Sequence, residues 1–540
     1  MKLAQTVRAD PSWAAFLAFA FLSGFSMPMA RVALAACLVL TLFDRARRRL
    51  IRFTAPAAGW LVYLALALGV SAAAASLCTD PLLQPARGIG KLTKLIWFFA
   101  IPLGVVQVDS RLRLLSALRA LVWGCAVTAF AVVFLHPGLA WFQVSFPSSY
   151  QMVARELDPA SSPVTALQAF LYETTDSLGL LEAANRWIEL PWRAQTYSQA
   201  IVKLGTMQDA QRLMVALPAA LCLAAEALRA RSRRFAPCLL LALVAAGLLL
   251  TFKRGPVLAG FGVSFLLLLS RLRWWKAALV LALLAAAAAG MPHVRGRFAE
   301  LPSELRLAKG GRALMWTRIV PELHREHPWG IGFRALTGDK MKEAERRAAI
   351  GGEIEEARAE ISRILAQNPR RRSRAAKRLL LERQHLWRLE HWRALDAEVR
   401  AVRATRPAPD SEEARFLERS RRQLAQWERD GLTRVRLELN QNHVHSVPLQ
   451  SFVDFGWAGL AAWALWMFLA LRSTGVLALR SRRPSAGSSA PETLCFAAPF
   501  AMLAALVLYG LMEYNLADSE VVLLYAFAMG LSGPSLLRSE

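Results

Sequence analysis

Residues 57–77 read AAGWLVYLALALGVSAAAASL and contain no charged side chain. As a helix, such a stretch rises roughly 30 Å at about 1.5 Å per residue, which matches the hydrocarbon thickness of a bilayer. Working outward from it, comparable apolar runs recur along most of the chain, at about 12–26, 27–43, 92–106, 115–135, 206–228, 236–252, 255–270, 274–291, 447–471, 494–512 and 517–537. The first two are split near Gly24 and Pro28. The expected fold is all-α: a polytopic membrane protein with about 12 transmembrane helices and a large helical loop insertion.

Composition points the same way. A soluble chain of 540 residues would form three or four domains of roughly 150 residues. Yet 55% of the residues belong to the AVILMFWYC set, above the usual range of about 45–50%. Mean hydropathy is +0.31, while 66 Lys+Arg against 40 Asp+Glu leave a net charge of +26. Excess apolar character with excess basic charge excludes a disordered acidic tail, a collagen-like repeat and a secreted disulfide scaffold. All six cysteines fall in or at the ends of apolar runs.

The basic residues orient the chain, because short cytoplasmic loops are enriched in Lys and Arg. With the N-terminus inside, the inner loops carry Arg45, Arg47, Arg48, Arg49 and Arg52, then Arg111, Arg113 and Arg119, then Arg229 to Arg234, then Arg271, Arg273 and Lys276, and finally Arg472 to Arg483. The domain plan is then transmembrane helices 1–5 (1–135), a first outer loop (136–205), helices 6–9 (206–291), a large outer loop (292–446) and helices 10–12 (447–540). The large loop holds 33 Lys+Arg against 22 Asp+Glu, and long loops escape the charge rule. Its Arg-rich middle, about 342–435, reads as two or three helices punctuated by Asn368-Pro369 and Arg406-Pro407.

All eight histidines fall on the outer side in this topology. Asn442-His443-Val444-His445-Ser446 directly precedes the run beginning near Val447, so His443 and His445 sit where a neutral imidazole could act as a general base. Lys253 and Arg254 lie in a turn too short to be a soluble loop, and cations held there call for snorkelling or an anion. Arginine's planar fork suits phosphate or diphosphate. Arg212 lies about one turn inside an otherwise apolar helix. His443 and His445 with His324 and His327 could supply four imidazoles, but neither cysteine nor an H-E-x-x-H spacing accompanies them, and no metal is expected. No Walker, dinucleotide or zinc-finger pattern appears, so no cofactor and no nucleic-acid partner are expected, and energy must come from the substrate or a gradient.

Four motifs in order resemble the O-antigen ligase/polymerase membrane superfamily. They are the Thr251-x-x-Arg254-Gly255 turn, Arg312-x-x-x-Trp316 with the following His327-Pro-x-Gly330-x-Gly332, the Asn442-His443-x-His445-Ser446-x-x-Leu449 that opens an apolar run, and Asp454-Phe-Gly456 within that run. The resemblance covers about 205–530. It implies a bacterial inner-membrane glycosyltransferase using an undecaprenyl-diphosphate-linked glycan at the periplasmic face. The acceptor would be lipid A–core oligosaccharide in a ligase, another lipid-linked repeat in a polymerase, or a protein hydroxyl in a protein O-oligosaccharyltransferase. It also implies His445 as the base, with His443 the neighbouring alternative. Arg254 and Arg312 would bind the diphosphate, followed by Arg212 and Lys253. The roughly 90-residue insertion between Gly332 and Asn442 departs from the family pattern. A transporter would instead place polar groups near mid-membrane in broken helices, whereas the charges here gather at the outer rim.

Overall fold

The computed structural model describes residues 10–48, 54–78, 80, 82–135, 207–229, 235–251, 253–270, 314–367, 374–405, 407–429, 432, 443–480, 494–514, 516 and 519–533. These residues form helices and connecting turns, with no strand among them. Six helices are long and apolar enough to cross a membrane: Ala55–Leu77, Pro85–Gln107, Arg111–Val133, Met207–Arg229, Val447–Leu479 and Leu494–Met512. Five shorter apolar helices, Pro11–Leu22, Met27–Phe43, Phe235–Leu249, Gly255–Leu269 and Val521–Gly530, coincide with the remaining expected runs except one. That one, 274–291, lies outside the described residues.

The chain divides into two compact units, the first made of Met1–Val62, Lys94–Val280 and Ala464–Glu540, the second of Tyr63–Thr93 and Leu281–Trp463. In the first unit, α1 (Pro11–Leu22) and α2 (Met27–Phe43) form a hairpin. Asp10 caps α1 by accepting from the Trp13 N–H at 3.0 Å. The same carboxylate takes ion pairs from Arg47 and Arg113, and the Arg113 guanidinium lies over the Trp13 ring. α1 crosses α5 (Arg111–Phe130) at backbone contact, because a Cβ on Gly124 would stand 1.8 Å from the Phe21 carbonyl oxygen. Close approach through small residues is how helices pack where hydrocarbon removes any hydrophobic gain from association.

The centre of this unit is α6 (Met207–Arg229), which packs against α5, α7 (Phe235–Leu250), α8 (Arg254–Leu269) and α14 (Ala498–Met512). Its residues Asp209 to Ala220 are buried without a break. On the outside, large apolar side chains such as Val32, Phe43, Leu239 and Leu258 are exposed, as befits a surface meeting lipid.

The second unit holds the later part of α3 (Ala55–Leu77), the start of the segmented α4 (Pro85–Gln107), and α9 (Val320–Glu326) with the π-turn Met315–Ile319 before it. It also holds α10 (Gly338–Ala366), α11 (Arg374–Ala404), α12 (Glu412–Arg429) and the first part of α13 (Val447–Arg480). One core joins Met315, Ile319, Leu323, Ile331, Val444 and Val453. A separate core of Ile350, Ile354, Leu389, Trp392, Val399, Leu417 and Leu424 holds α10, α11 and α12 together. These are the expected helices of the Arg-rich insertion. α10 and α11 run antiparallel, with Glu360–Arg378 and Arg358–Glu390 ion pairs on the outside and His385 against Glu353 at 3.1 Å nearer the core. α10 starts at Thr337, whose hydroxyl accepts from the Lys340 N–H at 3.2 Å, an ordinary N-cap.

Candidate active site

The His443–His445 segment lies immediately before α13. Val447 and Pro448 open the helix, where a proline costs no hydrogen bond. Between the two imidazoles, Val444 is fully buried and tied on both sides: its N–H donates to Gln450 Oε1 at 2.9 Å, and its carbonyl accepts from Trp316 Nε1 at 2.9 Å. With Val444 turned inward, His443 and His445 are half-buried and their ring centroids lie 4.6 Å apart. His445 has a left-handed backbone, φ 48°. For a residue with a Cβ this costs roughly 1–2 kcal/mol and is held only where the surroundings impose it.

The surroundings are α13 itself and the glycine loop that follows α9. Gln450 passes its remaining hydrogen bond on, Nε2 donating to Asp454 Oδ1 at 2.7 Å. Asp454 is buried, and its Oδ2 accepts from the Arg334 N–H at 3.3 Å. Next to it, the N–H of Ile331 reaches the Val453 carbonyl at 3.2 Å and that of Gly332 the Asp454 carbonyl at 2.9 Å. Those two carbonyls are available because α13 breaks at Gly456, whose φ of 65° and ψ of −157° are open essentially to glycine alone. The fit leaves no room on either side. A Cβ on Gly330 would lie 2.4 Å from the Asp454 carbonyl oxygen, and one on Gly456 would lie 2.7 Å from that of Pro328. Tyr63 and Ser451, hydroxyl to hydroxyl at 2.9 Å, fasten α13 to α3.

His324 and His327 take other places. His324 packs on the Phe452 ring at 4.3 Å and edge-on to Trp457. His327 Nε2 stands 3.9 Å from Asp80 Oδ2. Asp80, Glu326 and His327 each offer a ligating atom within 4.8 Å of the others, but the cation among them is Lys340, 2% exposed and 2.6 and 2.7 Å from the two carboxylates. Burial would raise both carboxyls, yet the Lys340 ammonium holds Asp80 and Glu326 below their ordinary values, helped by Arg347 and Arg400 at Glu326. Burial and the neighbouring Lys340 charge push His327 down, outweighing the opposing pull of Glu326 and Asp80, so its imidazole stays neutral more readily. Lys340 is raised, because its carboxylates outweigh its burial. The pattern of charged residues did not point to this buried ion cluster, since Asp80 and Lys340 are 260 positions apart in the chain.

The cationic candidates belong to the first unit or to undescribed residues. Arg212 is buried in α6 and paired with Asp209 one turn earlier at 3.0 Å. That i,i+3 spacing is legible in the sequence. Next to it, Gln211 Nε2 donates to the Tyr509 hydroxyl at 3.3 Å. Lys253 is half-buried and precedes α8, and Arg254 is the first residue of that helix. Arg312 lies outside the described residues.

Comparison with protein-family models and with curated proteins finds no match to this chain.

Proposed function

We propose that the protein is a bacterial inner-membrane glycosyltransferase that moves an undecaprenyl-diphosphate-linked glycan onto lipid A–core oligosaccharide at the periplasmic face, with about 12 membrane crossings. One observation carries this reading. Motifs far apart in sequence, Trp316, Gly330 to Gly332, Asp454 to Gly456 and His443 to His445, form one hydrogen-bonded assembly that presents two adjacent imidazoles before an apolar helix.

In this reading His445, or its neighbour His443, takes the proton of the acceptor hydroxyl. The freed oxygen attacks the anomeric carbon as the bond to the diphosphate breaks, and the lipid diphosphate leaves with the electron pair. Arg254 and Arg312, with Lys253 and Arg212 in support, neutralise the developing charge. A single displacement of this kind inverts the anomeric centre. The donor's own diphosphate bond drives transfer, so neither nucleotide nor other cofactor enters.

The experiment is transfer from purified lipid-linked glycan to lipid A–core by the purified protein in detergent. The expected result is glycan-capped core with the wild type and none with His445→Ala at equal protein level. Transfer to another lipid-linked repeat instead would identify a polymerase. Absence of any transfer would leave a transporter as the better reading.

A further inference from the structure

The first unit contains a groove that the transfer chemistry does not use, between α5, α6 and α7. It has a volume of about 390 Å³, within the range of small-molecule sites, about 300–1,000 Å³. Its floor is apolar, with Leu115 from α5, Leu223 from α6 and Leu240 from α7. Arg119, Trp123 and Glu226 also line it. Arg119 and Trp123 are exposed, and so are Leu112 and Phe130 on the same face of α5. A membrane helix that exposes large apolar side chains on one face turns that face to lipid.

The charge in the groove is unbalanced. Arg119 makes no hydrogen bond or ion pair with any described residue. Glu226 is already engaged: Oε2 accepts from Arg111 Nη2 at 3.4 Å, and Oε1 accepts from the Cys495 N–H at 3.3 Å. α5 and α7 contain no acidic residue, and the other acid of α6, Asp209, pairs with Arg212 near the opposite end of that helix. Arg119 lies eight residues into α5, roughly 12 Å at about 1.5 Å per residue. A cation at that depth on a lipid-facing surface is costly unless it reaches the interface or meets an anion. Helical side chains tilt toward the N-terminus of their helix, which directs Arg119 back toward Arg111 and the headgroup level. Arg229 ends α6 on this same side and adds a further cation.

The ligand that fits is amphiphilic and anionic. It needs an acyl chain for the leucine floor, a phosphate for the guanidinium, and net negative charge to balance an arginine that has no carboxylate of its own. We infer that the groove between α5, α6 and α7 binds an anionic phospholipid, with its phosphodiester on Arg119 and one acyl chain on Leu115, Leu223 and Leu240. Trp123, apolar in body with a polar N–H, stands at the level where chain and headgroup meet. This goes beyond the transferase reading and does not depend on it, because none of these residues takes part in the proposed transfer.

The test is native mass spectrometry of the full-length protein in detergent, titrated with phosphatidylglycerol or with phosphatidylcholine carrying the same acyl chains. Phosphatidylglycerol should bind at least fivefold more tightly, because basic side chains at the headgroup level favour anionic lipid. Arg119→Gln should weaken its binding about tenfold. Arg119 is exposed and has no described partner, so this replacement leaves the fold intact, which an unchanged melting temperature checks. Ala227→Phe, which fills the groove without changing its charge, should weaken binding several-fold. Equal binding of the two lipids, undiminished binding by Arg119→Gln, or undiminished binding by Ala227→Phe would each overturn the assignment. Displacement of the bound lipid by inorganic phosphate would overturn it too, as the mark of a free-phosphate site. Since the readout is lipid binding, loss of glycan transfer in a separate assay would not be mistaken for its failure.

Discussion

Trp316 and Val444 are 128 residues apart, and the indole N–H of one holds the carbonyl of the other at 2.9 Å. That bond fixes the residue between the two imidazoles. Replacing Trp316 with Phe keeps an aromatic ring but leaves the Val444 carbonyl without this donor, a loss of about 1–3 kcal/mol for a buried acceptor. The expected outcome is a lower melting temperature together with a fall in transfer rate of tenfold or more. Unchanged transfer in Trp316→Phe would show that the bond does not position the imidazoles.

His445 separates two contributions, its ring and its left-handed backbone. His445→Gly removes the ring and relieves the conformational cost, roughly 1–2 kcal/mol. His445→Ala removes the ring and keeps the cost. Both variants should be inactive in transfer, but the glycine variant should melt higher than the alanine one. Thermal unfolding in detergent, read beside the transfer assay, checks both halves.

Gly456 and Gly351 should respond to alanine in opposite directions. At Gly456 the backbone is in a glycine-only region, and the new Cβ would stand 2.7 Å from the Pro328 carbonyl oxygen. The expected result is poor folding yield and loss of the imidazole geometry. At Gly351, inside α10, nothing lies within 4 Å of the added Cβ. There alanine should stabilise by about 0.5–1 kcal/mol. Melting temperatures of the two purified variants decide the matter.

The buried cluster around Lys340 sets a pH window. Asp80 and Glu326 are lowered on folding, so they contribute stability that is present above their ordinary values of 3.8 and 4.5 and is lost as pH falls through their folded values. His327 is also lowered, so its contribution is full above 6.5 and declines as the pH drops below that. Lys340 is raised, and its contribution fades only as pH rises past its folded value, above 10.5. Stability should therefore be greatest between about pH 6.5 and 10.5 and fall on the acid side. Lys340→Met leaves two buried carboxylates without their shared cation, so it should be destabilising at neutral pH, with a melting temperature that improves rather than falls as the acids are protonated. A wild-type melting temperature that is flat from pH 8 to pH 4 would contradict this account.

Much of the fold was legible because hydrophobicity along a membrane helix is a local property. The runs at 57–77, 206–228 and 494–512 fall on helices Ala55–Leu77, Met207–Arg229 and Leu494–Met512. The insertion helices announced themselves through Asn368-Pro369 and Arg406-Pro407 between charged, periodic stretches. The His443–His445 segment was visible as polar residues opening an apolar run. What holds it was not. Gln450, about one helical turn into α13, reads as an isolated polar residue until its two bonds to Val444 and Asp454 are seen. Nothing local distinguishes Gly456 from a glycine that simply lets helices approach, and the expected span at 447–471 ran straight through it. Such pairings are tertiary, and neither periodicity nor spacing encodes them.

The break in α13 divides the labour of one apolar run. From Gly456 to Arg480 the chain still rises roughly 36 Å at about 1.5 Å per residue, more than the hydrocarbon layer of about 30 Å requires. The turns from Val447 to Phe455 are therefore surplus to any crossing. Two of their carbonyls, those of Val453 and Asp454, are occupied by the glycine loop. A hydropathy profile counts the whole run as anchor, whereas its first quarter is a pedestal: apolar enough to be mistaken for membrane, and fully committed to carrying the histidines.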